Sequence, residues 1–241
     1  MAVFSLHVAD TLAEYGSPPY YSEARARFVQ DTFVSFIEID AKEYATPLLV
    51  VSDFGAAFNS SIAGGGSASI GDDGLVTITA SSTNWIPVLC TGSDAPVGNA
   101  LWERLGFDLM QSFSYALAHT GTRQIQGSLF FGTLAEVGQD ARESFGHQAT
   151  GVRGHTAYVD FASAVERTIR AFYLDEARAE QIRRWYALAR EGRKITLREG
   201  TSETYWALHP DMMTGVDSAL RRTAHLYPLY GLELKLRQWN S

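Results

Sequence analysis

With 241 residues, 46% hydrophobic and 20% charged, the chain can bury a sizeable core as one large domain or two small ones. Its net charge of −7, with no long Lys/Arg stripe, speaks against non-specific nucleic-acid binding, and no run of about 18 apolar residues provides a membrane span. The single cysteine, Cys90, permits neither an internal disulfide nor a thiolate zinc cluster, which points to a reducing compartment.

In chain order, Ala2 to Val8 reads as a short apolar strand. The early Asp10 and Glu14, with no basic segment ahead of them, do not fit a secretory signal. Ser22 is placed to cap a helix over Glu23 to Val29, and a β-rich stretch follows from Thr32 to Ile39. Leu48 to Val51 after Pro47 reads as a buried strand, and residues 55–74 as a loose, glycine-rich stretch. Leu75 to Ala80 alternates cleanly, and with the Gly71-Asp72-Asp73-Gly74 turn it predicts a hairpin. Trp85 to Cys90 reads as a third strand, with Pro87 favouring a sheet edge. Asn99 to Gly106 fits a short helix with a glycine stop.

Residues 132–160 are rich in glycine and polar side chains and read as a long loop or hinge between a β-rich part, 1–131, and a C-terminal part, 161–241. In that last part Val165 to Leu174 predicts a strand, and Asp175 caps a helix through Arg190. Ile182, Trp185, Tyr186 and Ala189 form the apolar stripe of that helix. Arg193 to Leu197 and Thr204 to Leu208 form a hairpin around Glu199-Gly200, and Leu232, Leu234 and Leu236 mark a closing strand with one dry face. The fold class expected is mainly β (α+β), sandwich-like, with two or three helices and one long helix near 175–190.

Motifs for chemistry are scarce. Gly64-x-Gly66 is followed by β-like residues rather than by a helix N-terminus that could hold a pyrophosphate. His147 and His155, near Asp140 and Asp160, are eight residues apart, wider than zinc pairs normally run, and Asp72-Asp73 lacks the spaced ligands of a calcium loop. Cys90 lies in an apolar strand where burial would make it inert, and no G-x-S-x-G elbow presents a serine nucleophile. The reading is of a non-enzyme with no catalytic residue, no metal and no cofactor. Trp85, Trp102, Trp185, Tyr186, Tyr205 and Trp206 could make a carbohydrate- or receptor-binding platform, although their spacing favours core packing.

Charge is split along the chain. Residues 1–165 carry a net −10 and residues 166–241 a net +3. Arg183, Arg184, Arg190 and Arg193 form a basic cluster interleaved with Glu176, Glu180 and Glu191. It is either a solvated helix face or a surface that meets the acidic part of another copy in a head-to-tail ring.

Two stretches carry a family resemblance. One is the C-terminal order of strand (Glu166 to Leu174), helix with Trp185-Tyr186-Ala187-Leu188-Ala189, Gly192, strand Ile195-Thr196-Leu197, Trp206 strand, and closing Leu226 to Leu234. The other is Thr77 to Phe107, ending Ala100-Leu101-Trp102-Glu103-Arg104-Leu105-Gly106-Phe107. Together they resemble minor tail proteins of tailed bacteriophages, of the distal-tail or tail-tip type. That resemblance implies a structural virion protein, assembled in the bacterial host cytoplasm as a homo-oligomeric ring between tail-tube and baseplate hub proteins.

Overall fold

The computed structural model describes residues 4–12, 23–88, 100–108, 113–131, 135–138, 141–150, 156–213, 215–216, 219–222 and 229–239. The protein is mainly β and sandwich-like, with three α-helices among the described residues. It divides into two compact units, Met1–Gly132 with Arg198–Ser202, and Thr133–Leu197 with Glu203–Ser241.

In the first unit, β1 (Phe4–Val8) pairs antiparallel with β10 (Ser128–Phe130), and β2 (Asp10–Thr11) with β5 (Glu43–Tyr44). Two three-stranded sheets carry much of the rest. One has the order β4-β3-β8, from β3 (Arg25–Gln30), β4 (Phe33–Glu38) and β8 (Trp85–Pro87). The other has the order β6-β7-β9, from β6 (Gly66–Ile70), β7 (Leu75–Ala80) and β9 (Ala118–Gln124). One apolar cluster joins them. It takes Ala26, Phe28 and Ile37 from the first sheet and Val76 and Ile78 from the second. Helix α1 (Pro47–Ser61) adds Phe54 and Phe58, and α2 (Ala100–Arg104) adds Leu101 and Trp102. The Trp85 and Trp102 rings stack with centroids 6.0 Å apart, and both indole N–H groups donate to backbone carbonyls, of Leu117 at 3.1 Å and Arg27 at 2.9 Å. Large rings can therefore be buried here without an unmet donor.

The second unit is built on one sheet in the order β14-β15-β17-β13-β11, with β12 also on β13 and β16 also on β17. Its strands are β11 (Ala135–Val137), β12 (Ala141–Thr150), β13 (Thr156–Leu174), β14 (Ile195–Glu199), β15 (Ser202–Leu208), β16 (Leu220–Arg222) and β17 (Tyr230–Gln238). Leu232, Leu234 and Leu236 of β17 are buried, in register with Ala171, Ile169 and Arg167 of β13. Helix α3 (Glu176–Ala189) starts at Asp175, whose carboxylate accepts from the Arg178 N–H at 2.8 Å, and it buries Ile182, Trp185, Tyr186 and Ala189. A bulge between Ala171 and Leu174 holds Tyr173 at φ 58, a left-handed conformation unusual for a bulky side chain.

Several expectations hold. The 75–80 hairpin strand, the edge position of Pro87, the short helix after Asn99, the Asp175-capped helix and the closing leucine strand are all present. Others are corrected. The segment after Ser22 is strand β3, not a helix, because Ala24, Ala26 and Phe28 alternate inward while Arg25 and Arg27 stay half-buried on the other side. Residues 48–51 belong to helix α1, not a strand. The buried positions Pro47, Val50, Val51, Phe54 and Phe58 run at helical spacing into the stretch read as loose, and Pro47 opens the first turn. The rest of that stretch supplies strand β6. The segment 132–160, expected as a loop or hinge, contains β11, β12 and the start of β13, because β12 folds back on β13 as a hairpin from Thr150↔Thr156 to Ala141↔Glu166 and β11 pairs with β13 at residues 169–171, despite the glycines. Cys90 and His155 lie outside the described residues.

Candidate functional site

Four polar clusters are the places where chemistry would be sought. The most enclosed is in the first unit. Ser5 and His7 point to the same face of β1, two residues apart, and His7 lies directly opposite Ser128 of β10. Ser5 Oγ sits 2.9 Å from His7 Nε2, and Ser128 Oγ 2.9 Å from His7 Nδ1. A neutral imidazole donates from one nitrogen and accepts at the other, so the two hydroxyls satisfy it completely. All three residues are buried, and burial pushes the His7 pKa down to about 4. A hydroxyl–imidazole pair is the first half of a nucleophilic dyad. Here the pair is buried and serves as a cross-strand tie. Sequence reading missed it because Ser128 is remote in the chain; the Ser-x-His spacing on one strand was the available hint.

The second cluster is a clamp in which the Arg104 guanidinium bridges Asp10 and, at 2.9 Å, Glu23. Arg104 is largely buried, so the forked ion pair ties the end of α2 to the chain on either side of residues 13–22. The third, on α1 and β5, places Lys42 Nζ 3.1 Å from Asp40 and 3.0 Å from Asp53, with the Tyr44 hydroxyl donating to Asp53 at 3.1 Å. Hydrogen bonds to those two carboxylates raise the Lys42 pKa, and burial followed by the Asp53 charge pushes Tyr44 up to about 12. The fourth, in the second unit, sets His209 Nε2 2.7 Å from Glu166 Oε1 while His209 Nδ1 accepts from the Asp211 N–H at 3.2 Å. The same histidine caps the short 3₁₀ turn Pro210–Met212. Each cluster fastens segments of its own unit together, and in the fourth the buried Glu166 Oε1 has the His209 ion-pair contact but no hydrogen bond.

The basic cluster named from sequence lies on and just beyond α3. Arg183 contacts Glu176 at 3.0 Å and Glu180 at 3.3 Å, Arg184 contacts Glu180 at 3.4 Å, Arg193 contacts Glu191 at 2.7 Å, and Arg190 is exposed. Hydrogen bonds from Tyr230 and then Arg183 hold the Glu176 carboxyl below its ordinary range. Of the six aromatics weighed as a glycan platform, Trp85, Trp102, Trp185, Tyr186 and Trp206 are core residues, and only Tyr205 is exposed, with Lys194 over its ring at 3.6 Å. The Asp72-Asp73 turn is a backbone device: Asp73 accepts from the Leu75 N–H at 3.0 Å, and Gly74 takes φ 80. His147 falls on β12.

Two features are not closed in this way. One is a ribbon in the second unit. Strands β12 and β13 pair from Ala141↔Glu166 to Thr150↔Thr156, whereas β17 covers β13 only from Glu166 to Leu174. Nine residue pairs, Arg142↔Val165 to Thr150↔Thr156, on the order of 30 Å of strand, therefore run as two strands alone among the described strands. The other is strand β4 of the first unit, a sheet edge on which Phe33, Val34 and Phe36 are 70%, 49% and 42% exposed. The chain matches no protein-family model, no curated protein and no solved structure.

Proposed function

We propose that this protein is a structural subunit that works by assembling with copies of itself and with neighbouring subunits, as a minor tail protein of a tailed bacteriophage at the distal-tail or tail-tip position. What supports the reading is the β12–β13 ribbon. A two-stranded hairpin is marginally stable at best in water, so nine residue pairs beyond the parent sheet call for a further surface to lie against. In a ring the next subunit supplies that surface, through a heterologous contact repeated until the ring closes.

The test is an assembly measurement on the full chain and on a shortened ribbon. Replacing residues 144–163 by an Asn-Gly turn leaves the Glu143↔Ala164 pair to close a tight hairpin and keeps every contact of β13 with β17. The full chain is expected to form defined higher oligomers by light scattering and electron microscopy, alone or with tail-tube and hub proteins. The shortened variant is expected to fold and to form no ring-sized oligomer. A full chain that stays monomeric and binds neither partner refutes the reading.

A further inference from the structure

Strand β4 has the attributes of a docking edge. It is the outer strand of the β4-β3-β8 sheet and is six residues long, Phe-Val-Ser-Phe-Ile-Glu. It carries neither Lys nor Pro, the usual devices that keep such an edge from pairing. Its outer face is apolar where outer faces are ordinarily polar. Val34 and Phe36 are exposed on it, and Arg25 of β3 lies over the Phe36 ring at 4.2 Å.

The backbone fixes which groups are free. The Gln30↔Phe33 pair closes a two-residue turn, and the Ile39 N–H donates to the Ala24 carbonyl at 3.0 Å. Odd-numbered residues of β4 thus bond to β3, and the N–H and C=O groups of Val34, Phe36 and Glu38 point away from the sheet.

We infer that β4 is the site at which a second copy of this chain docks, by antiparallel pairing of β4 with β4 about a two-fold axis at Ser35. The choice of occupant rests on self-complementarity. With the axis at Ser35, Val34 of each copy faces Phe36 of the other, which gives two aromatic–β-branched pairs on one face. Each of those pairs joins residues whose free backbone groups bond to one another. An axis at Phe36 would pair Phe36 with itself but set Val34 against the charged Glu38 twice, and one at Val34 would pair Val34 with itself but set Phe36 against Thr32, so only the axis at Ser35 places both apolar residues of each copy against apolar partners. Phe33, Val34 and Phe36 together offer roughly 300 Å² of apolar surface per copy, less than half of the roughly 800 Å² per partner of a standard-sized interface. The contact is therefore weak and reversible, read at micromolar to millimolar chain concentrations. It is isologous, unlike the heterologous ring contact of the ribbon, and does not depend on it.

Sedimentation of the full chain across that concentration range tests the pairing, alongside Val34→Lys and cysteine variants made with Cys90→Ser. A concentration-dependent dimer is expected, weakened about tenfold or more by the charge placed on the edge in Val34→Lys. Ser35→Cys meets itself at the axis, where the Cα atoms of a non-hydrogen-bonded pair lie about 4.5 Å apart, and is expected to form a disulfide-linked dimer under mild oxidation. Glu38→Cys, six residues out of register with itself, is expected to remain monomeric. The same dimer persists in the shortened-ribbon variant, which separates this contact from the ring. A strictly monomeric chain, a dimer indifferent to Val34→Lys, or equal cross-linking through Glu38→Cys overturns the inference, as does capture of a different strand at β4 without self-pairing.

Discussion

His7 illustrates how a residue that suggests chemistry can be fixed in a structural role. Enclosed between Ser5 and Ser128, it stays neutral, and burial takes its pKa from 6.5 in the open chain to about 4. The unfolded chain therefore binds a proton between those values that the folded chain refuses. Stability is full above pH 6.5 and falls as the pH drops towards 4, by about 3 kcal/mol over the window. Denaturant titrations of wild type and His7→Gln at successive pH values read this directly; the variant is expected to lose markedly less stability from pH 6.5 to 4.5. An equal slope in both would mean that the imidazole titrates freely. Glycine roles at this scale are equally specific. Gly106, in the Leu105-Gly106-Phe107 stretch that carries part of the tail-protein resemblance, takes φ 85, and a Cβ there would stand 2.1 Å from the Arg123 carbonyl oxygen. The pattern is a backbone requirement at the end of α2, with Leu105 and Phe107 buried on either side.

Among the elements, the long helix and the closing strand were readable because their signals are local. The Asp175 cap, the 3.6-residue apolar stripe of α3 and the strict alternation of Leu232, Leu234 and Leu236 each lie within one stretch of sequence. Asp175→Ala removes the cap and is expected to cost about 1 kcal/mol, seen as an earlier thermal transition with the native circular dichroism retained. Misread elements had competing signals. Ser22 before an Ala/Arg run suggests a helix, yet the same residues alternate with period two, and β4 and β8 on either side settle the matter in favour of strand β3. Pro47-Leu48-Leu49-Val50-Val51 taken alone suits a strand; only with Phe54 and Phe58 does the helical period emerge. The ribbon part of β12 and β13, before Val165, gave no clear local signal, since Gly146 and Gly151 punctuate a polar sequence without clean alternation, and its order comes from the two strands pairing with each other.

For the molecule as a whole, the charge split is the feature that composition alone exposes. A net −10 over residues 1–165 against +3 over 166–241 favours contacts between unlike parts of successive copies. If such contacts hold the proposed ring, raising the ionic strength from about 0.05 M to about 0.5 M is expected to shift light-scattering mass towards smaller species, because exposed pairs are screened within a Debye length. Salt-insensitive mass would assign the assembly to apolar and strand-edge contacts instead. Arg183 and Arg184 of α3 are already engaged by Glu176 and Glu180, so any charge steering comes from the surface sum rather than from those two side chains acting alone.

The sequence by itself determined the mainly β class, the long capped helix, the buried aromatics and the split of charge, since composition and short-range periodicity carry those properties. Only the tertiary structure decided that Ser5, His7 and Ser128 form a buried tie, that β4 is an edge among the described strands with Val34 and Phe36 exposed, and that β12 and β13 form a two-stranded ribbon among the described strands. The reason is physical. Burial, register and edge position are relations between residues far apart in the chain, and no local pattern encodes which strand lies beside which.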